Sequence, residues 1–415
     1  MKISIVIPTR NRSQYLKYCL RSCLQTRDSD IEVIVSNNNS VDDTACILSS
    51  ITDPRLIWFD TEKDLSMRQN FEFALSKTTG DYVLFIGDDD GIIPNGIVTL
   101  RHLIATRHPD IILWRHITYL WPDPDAGMGE GLLKFRYRDF NGPAYQLDPT
   151  KIYADFCSAK LTVYRDAANI YHGCVSRDVI EKIKGNGGEY FLGQSPDINT
   201  AISNLTVSNS IIWVRNPISI AGASPKSNGT AMSGSKKITT EQAKISENFT
   251  TLALHDHIAP ELDLRIRSIA AATYANVKRV NDTLDINQQQ PINHEAWRNA
   301  SIKDMQALPF DLRTWSLLEK FFRQMDPGYE IKRLADTDTP PITTAGSNDR
   351  KSSVKKPNLV PAQYTKNVAA VVEFLQKVTG RPHLPKKSIS VAFAWQLLKS
   401  ICMRKALKSI KKQPI

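Results

Sequence analysis

Asp81-Tyr82-Val83-Leu84-Phe85-Ile86-Gly87-Asp88-Asp89-Asp90-Gly91-Ile92-Ile93-Pro94 sets an apolar run of strand length directly against three adjacent carboxylates. A short continuous apolar run bounded by turn residues is the pattern of a strand buried on both faces, as in a parallel sheet. Neighbouring aspartates at its carboxyl end repel one another, and a divalent cation bridging them to a diphosphate would relieve that repulsion by taking their oxygens as hard ligands. A solvated acidic turn ahead of the helix that starts at Pro94 is the competing reading of the same residues.

Working outward, Ile3–Ile7, Glu32–Ser36, Leu56–Phe59 and Ile111–Trp114 are further strand candidates that alternate with helical spacing. Tyr15, Leu16, Cys19, Leu20, Cys23 and Leu24 recur at helical intervals after Ser13, which the pattern makes the cap, and Ser66 opens a second helical stretch with Phe71, Ala74 and Leu75. Alternation of this kind predicts an α/β fold, a mostly parallel sheet with helices on both faces. Ligands of such sheets sit outside the carboxyl ends of the strands. Pro8-Thr9-Arg10-Asn11-Arg12, Asn37-Asn38-Asn39-Ser40 and the aspartates all fall there.

The chain of 415 residues is long enough for a catalytic core with an appendage. Its six cysteines form no CxxC pair or Cys/His cluster, which fits reduced thiols rather than a disulfide frame or zinc site. No apolar stretch reaches membrane-spanning length and the first residues read as a strand, so the expected location is cytoplasmic. The formal charge of +10 is unevenly placed: residues 1–220 carry 23 basic against 26 acidic side chains, whereas residues 350–415 carry 15 basic side chains and one acid, Glu373. The basicity belongs to the tail, which argues against nucleic acid as the partner of the N-terminal domain.

Ile5-Val6-Ile7-Pro8-Thr9-Arg10-Asn11-Arg12, Glu32-Val33-Ile34-Val35-Ser36-Asn37-Asn38, Arg68-Gln69-Asn70 and Gly80–Asp90, in this order and spacing, resemble the family 2 glycosyltransferases of the GT-A fold over roughly residues 1–220. The resemblance implies a Rossmann-like sheet and inverting transfer from a nucleoside-diphosphate sugar to a saccharide or lipid-linked saccharide, as in surface polysaccharide assembly. It implies that Pro8, Thr9, Arg10, Asn11 and Arg12 line the nucleotide pocket. Asn37, with Asn38, stands where the family usually has an acidic residue on the base, a departure that leaves the base open. Arg68 and Asn70 fall where the family contacts the nucleotide-sugar, and an arginine can grip a diphosphate bidentately. Counting back from Pro94 puts Asp89 and Asp90 on the last two acids of the family motif, with Gly87 on the first and Asp88 beside the nucleotide. Read instead as Asp88-x-Asp90, the outer two share the cation, Mg²⁺ or Mn²⁺. The family's general base maps to Asp197 in Gly193-Gln194-Ser195-Pro196-Asp197, with Glu189 in reserve, although Pro196 replaces the usual neighbouring acid. A lone histidine such as His172 reads as structural.

These readings divide the chain into a catalytic domain (1–235), a helical domain (236–335), a flexible linker (336–366) and a basic amphipathic helical tail (367–415), with irregular structure over 121–150 and a mobile loop from Ala221. Ile389, Val391, Phe393, Trp395, Leu398 and Ile401 interleave with lysines and Arg404, a pattern suited to peripheral contact with the cytoplasmic face of the inner membrane. A nucleotidyltransferase making nucleoside-diphosphate sugars would share the sheet and carboxylates, but it should carry a glycine-rich phosphate loop, and Pro8–Arg12 has no glycine. A polyanion-binding protein driven by the tail is the non-catalytic alternative.

Overall fold

Four of the apolar runs pair as parallel neighbours: Ile3–Thr9 (β1) lies between Ile31–Asn37 (β2) and Tyr82–Phe85 (β4), and Leu56–Asp60 (β3) flanks β2. The structure, a computed structural model, describes residues 1–124, 129–134, 144–165, 167–185, 188–227, 240–285, 287–306, 312–326 and 366–379. Beyond β4 the sheet continues through Gly173–Ser176 (β10), Ile111–Trp114 (β6), Ile211–Val214 (β11) and Tyr145–Leu147 (β9), giving the order β3-β2-β1-β4-β10-β6-β11-β9. β10 and β9 run against the other six strands. A second sheet of four strands joins Gly91–Ile92 (β5), Ser219–Ala223 (β12), Ile117–Leu120 (β7) and Leu132–Lys134 (β8) in the order β5-β12-β7-β8.

The pleat sorts β1 into two cores. Ile3, Ile5 and Ile7 face one side with Leu16, Cys19, Leu20 and Cys23 of Ser13–Leu24 (α1) and Ile97, Leu100 and Ile104 of Pro94–Arg107 (α4). Val6 faces the other side with Phe71 and Ala74 of Met67–Ser76 (α3) and Ile198, Ala201 and Ile202 of Pro196–Val207 (α7). Both faces are therefore covered by helices, as the alternating pattern predicts. Ser66 caps α3 in a full capping box with Gln69, whereas α1 is capped one residue earlier than expected. Arg12 is its N-cap without a side-chain cap bond, and the Ser13 amide donates instead to Asp42 Oδ2 at 2.9 Å.

Two further expectations shift. The 121–150 region, read as irregular, contributes β8 and β9 and the start of Pro149–Cys157 (α5). The segment from Ala221, read as mobile, begins inside strand β12, paired with β5 and β7. Its remainder from residue 228 lies outside the described residues, as do the linker 336–365 and the tail from residue 380.

Among the later helices, Ile269–Thr283, His294–Gln306 and Leu312–Met325 add Tyr274, Val277, Trp297, Phe321 and Phe322 to the same core that holds Val6 and Phe85. No helix among the described residues is long and apolar enough to cross a membrane. Val368–Thr379, the last described helix, returns to the N-terminal domain. Val368, Val371, Val372 and Leu375 are fully buried against Tyr15, Tyr119, Trp121, Ile93 and Ile220, and Glu373 pairs with Arg21 at 2.7 Å. The spacing i, i+3, i+4, i+7 makes that apolar stripe. Leu375→Ala is expected to lower the unfolding free energy in a urea titration by about 2–4 kcal/mol. A change below about 0.5 kcal/mol, the size of an ordinary surface substitution, would show that the helix is not seated there.

Candidate donor-binding and active site

β4 ends at Phe85, and the chain turns at once so that Asp88, Asp89 and Asp90 are 0%, 3% and 1% exposed. Three buried carboxylates need compensation, and each finds it differently. Asp90 is held by four groups: the amides of Gly87 and Gly222 (2.6 Å each), the Tyr171 hydroxyl (2.7 Å), and His172, whose Nε2 lies 3.2 Å away without the alignment of a hydrogen bond. Burial works against its charge, but the field of His172 and the donors outweigh it and hold Asp90 below the usual carboxylate range. Behind it, Trp114 Nε1 donates to Ser219 Oγ at 2.8 Å, and Ser219 Oγ lies 2.7 Å from His172 Nδ1.

Asp88 and Asp89 depend on Arg12. The guanidinium lies with Nη1 2.9 Å from Asp88 Oδ1 and Nη2 2.6 Å from Asp89 Oδ2, and donates to Ser224 Oγ at 2.8 Å. Thr9 Oγ1 donates to Asp88 Oδ2 at 2.6 Å, and the Ser224 amide to Asp89 Oδ2 at 3.1 Å. One cation does not balance the cluster. Burial, opposed by Arg12 and reinforced by Asp89, pushes Asp88 up to about 7, and burial raises Asp89 as well. Arg12 is in turn held charged: burial disfavours its cation, and the pull of Asp88 and Asp89 prevails.

Around this cluster the expected nucleotide residues carry unpaired polar atoms. Pro8 and Thr9 close β1 beside Ser36 and Asn37 of β2. Arg10 pairs with Asp64 through Nη2, leaving Nε and Nη1 buried without partners. Asn11 adopts a left-handed φ of 53°, a region asparagine tolerates, and its side chain caps the Val41 amide. Asn37 donates to Asp60 at 2.6 Å while its Oδ1 is buried and unpaired, and Asn38 is bonded to Leu65 and Thr61. Unsatisfied buried donors and acceptors of this kind await a ligand or water.

Other candidates are engaged elsewhere. Arg68 is fully buried and grips Asp256 bidentately (2.8 and 2.7 Å), with Glu189 at 3.0 Å, so it ties α3 to the segment after Thr240–Leu254. Glu189, the reserve base, also meets His257 at 2.8 Å, and Asn70 Oδ1 accepts from Ser36 Oγ. Asp197 stands in the first turn of α7 and accepts from the Tyr164 hydroxyl at 2.7 Å. Burial raises its pKa against that bond. Exposed Arg165 acts electrostatically on Asp197, and the ring of His116 lies 4.8 Å from that of His172. Tyr171 and Trp121, which donates to the Asp89 carbonyl at 2.8 Å, join the site without a sequence signal, whereas Gly222 and Ser224 belong to the stretch from Ala221 that the sequence marks as a loop.

Among the described residues no three His, Cys, Asp or Glu side chains are arranged to hold a metal alone. Asp88 and Asp89 nevertheless suit a cation of the Mg²⁺ type, which takes one or two carboxylates and completes its shell with water and substrate phosphate. Asp90, saturated by its donors, fits the anchoring of the turn.

A mostly parallel sheet covered by helices, with carboxylates beyond β4, defines an α/β fold that receives its ligand outside the carboxyl ends of the strands. Residues 4–165 match the family model described as glycosyl transferase family 2. The chain is similar to the GalNAc(5)-diNAcBac-PP-undecaprenol beta-1,3-glucosyltransferase of Campylobacter jejuni (30% identity over 102 residues, 24% of this chain and 33% of that protein). It is also similar to the abequosyltransferase RfbV of Salmonella typhimurium (31% over 113 residues, 26% and 34%). The chain thus spans about a third of the length of these curated relatives. Among solved structures it aligns with S. aureus TarS in complex with UDP-GlcNAc at a TM-score of 0.44 and 15% identity, covering 79% of this chain and 88% of that one.

Two substitutions test this geometry. A Cβ on Gly222 would stand 1.8 Å from the Asp89 carbonyl oxygen, so Gly222→Ala is expected to lower the melting temperature and weaken nucleotide binding together. Asp256→Ala leaves buried Arg68 short of its main partner and is expected to cost about 3–5 kcal/mol at neutral pH. Arg68 and the Ser66 hydroxyl hold the Asp256 pKa well below the usual range against burial. Its contribution is therefore full above the unfolded value of about 3.9 and is lost as pH falls below it. Denaturation curves should show the gap between wild type and variant narrowing steadily as pH falls from about 4 toward the still lower folded-state pKa.

Proposed function

We propose that this chain transfers a sugar from a nucleoside-diphosphate sugar to a saccharide acceptor, with inversion and with the help of Mg²⁺ or Mn²⁺, in the assembly of a bacterial surface polysaccharide. One observation carries the reading. Asp88 and Asp89, buried beyond β4, face Thr9 and Arg12 beyond β1, where a sheet of this kind receives its ligand. The family match and the glycosyltransferase names of the relatives support it.

The unpaired N–H groups of Arg10 and the free Oδ1 of Asn37 offer the nucleotide donors and an acceptor. A bound cation would neutralise charge that develops on the departing nucleoside diphosphate. As the acceptor oxygen bonds to the anomeric carbon and the bond from that carbon to the phosphate oxygen breaks, Asp197 takes the hydroxyl proton. Its raised pKa improves it as a base. The basic segment with Trp395, outside the described residues, would hold the enzyme at an anionic membrane surface, where lipid-linked saccharides are met.

Thermal shift with UDP, GDP, dTDP, CDP and their sugars, with and without Mn²⁺, is expected to single out one base through a metal-dependent rise that Asp89→Ala abolishes. Asp197→Asn should keep that donor response and lower kcat by about 10²–10⁴-fold. Transfer at the wild-type rate in Asp197→Asn would remove Asp197 as the base, and no response to any donor, with acceptor present or absent, would overturn the reading.

A further inference from the structure

Arg12 is the one member of the charged cluster open to solvent. Its side chain keeps 19% of its surface exposed, whereas those of Asp88 and Asp89 keep 1% and 4%. The two terminal nitrogens of Arg12 sit against one oxygen of each aspartate, as a bridging cation would, yet the guanidinium supplies a single charge to two buried carboxylates. Asp88 Oδ1 accepts no aligned hydrogen bond, and Arg12 Nε is buried without a partner, so the seat is imperfect. In the same position the guanidinium also donates to Ser224 Oγ at 2.8 Å and has its central carbon 5.6 Å from the centroid of the Tyr15 ring.

We propose that Arg12 is the internal counter-ion of the donor site. It holds the place of the divalent cation at Asp88 and Asp89 in the free protein and yields it when the cation arrives with a diphosphate, which then takes the guanidinium as its own partner. The proposal rests on the cation-site reading above. Free protein should accordingly bind divalent cation weakly, and the nucleotide should complete the site, because moving Arg12 away without a new anion would strand a buried charge.

Mn²⁺ titration followed by electron paramagnetic resonance, on the full chain with and without UDP or GDP, tests this directly. Arg12→Gln is expected to bind Mn²⁺ without nucleotide at least about tenfold more tightly than wild type, a difference of about 1.4 kcal/mol, and to lose most of the gain that nucleotide gives. Arg12→Lys, which keeps the charge and serves if the glutamine variant does not fold, should stay within about threefold of wild type, since an ammonium retains the place-holding charge. Unchanged or weaker Mn²⁺ binding in Arg12→Gln would overturn the proposal. Asp89→Asn separates the two readings: if it leaves Mn²⁺ binding intact, the cation site itself is elsewhere, whereas if it abolishes binding and Arg12→Gln does not tighten it, Arg12 alone has been misassigned.

Discussion

The contact between Arg12 and the Asp88–Asp89 pair is the constraint around which the N-terminal domain is arranged. Carboxylates this deeply buried raise the energy of the folded chain unless charge or oriented dipoles meet them. The chain answers with one side chain from beyond the end of β1 and with the amides of Gly222 in β12 and of Ser224 just after it, 132 and 135 residues from the aspartates they meet. That requirement explains Gly222. Only a residue without a Cβ lets β12 come close enough for its amides to reach the aspartates.

Support for the site extends outward in layers. Trp121 holds the Asp89 carbonyl, packs edge-on to Tyr15 and Tyr119, and shares a core with the Val368–Thr379 helix. Gly91, directly after the aspartates, is where that helix rests: a Cβ there would meet Val368 Cγ2 at 2.8 Å. A segment distant in sequence therefore braces the back of the turn whose front carries the carboxylates. On the opposite side, Asp90 is fixed through His172 and Ser219 to Trp114 of β6, joining the turn to the centre of the sheet. Asp90 thus keeps the turn in shape while Asp88 and Asp89 retain an exchangeable partner.

Much of the fold was legible because it rests on local patterns. β1 to β4 and β6 are continuous apolar runs ended by polar turns, whereas the insertion of antiparallel β10 between β4 and β6 has no such local signal. The aspartates were legible for the same reason, as charge placed where a buried strand stops. β12 was not. Ala221, Gly222 and Ala223 have the composition of a flexible loop, and only the approach to Asp89 shows why small residues stand there. The role of Arg68 was hidden as well, since its main partner, Asp256, is 188 residues away and the pair follows from how the later helices pack. Val368, Val371, Val372 and Leu375 did carry a signal, an apolar stripe at helical spacing, but the surrounding lysines drew the segment into the basic tail.

Anomalous diffraction at the manganese edge, from crystals grown with Mn²⁺ and the nucleoside diphosphate that stabilises the protein, addresses the central claim most directly. The account predicts one strong peak within about 2.0–2.6 Å of carboxylate oxygens of Asp88 or Asp89, with Arg12 swung onto the diphosphate and Asp90 still bonded to Gly222. A bound nucleotide with manganese elsewhere, or with Arg12 still bridging the two aspartates, would contradict it.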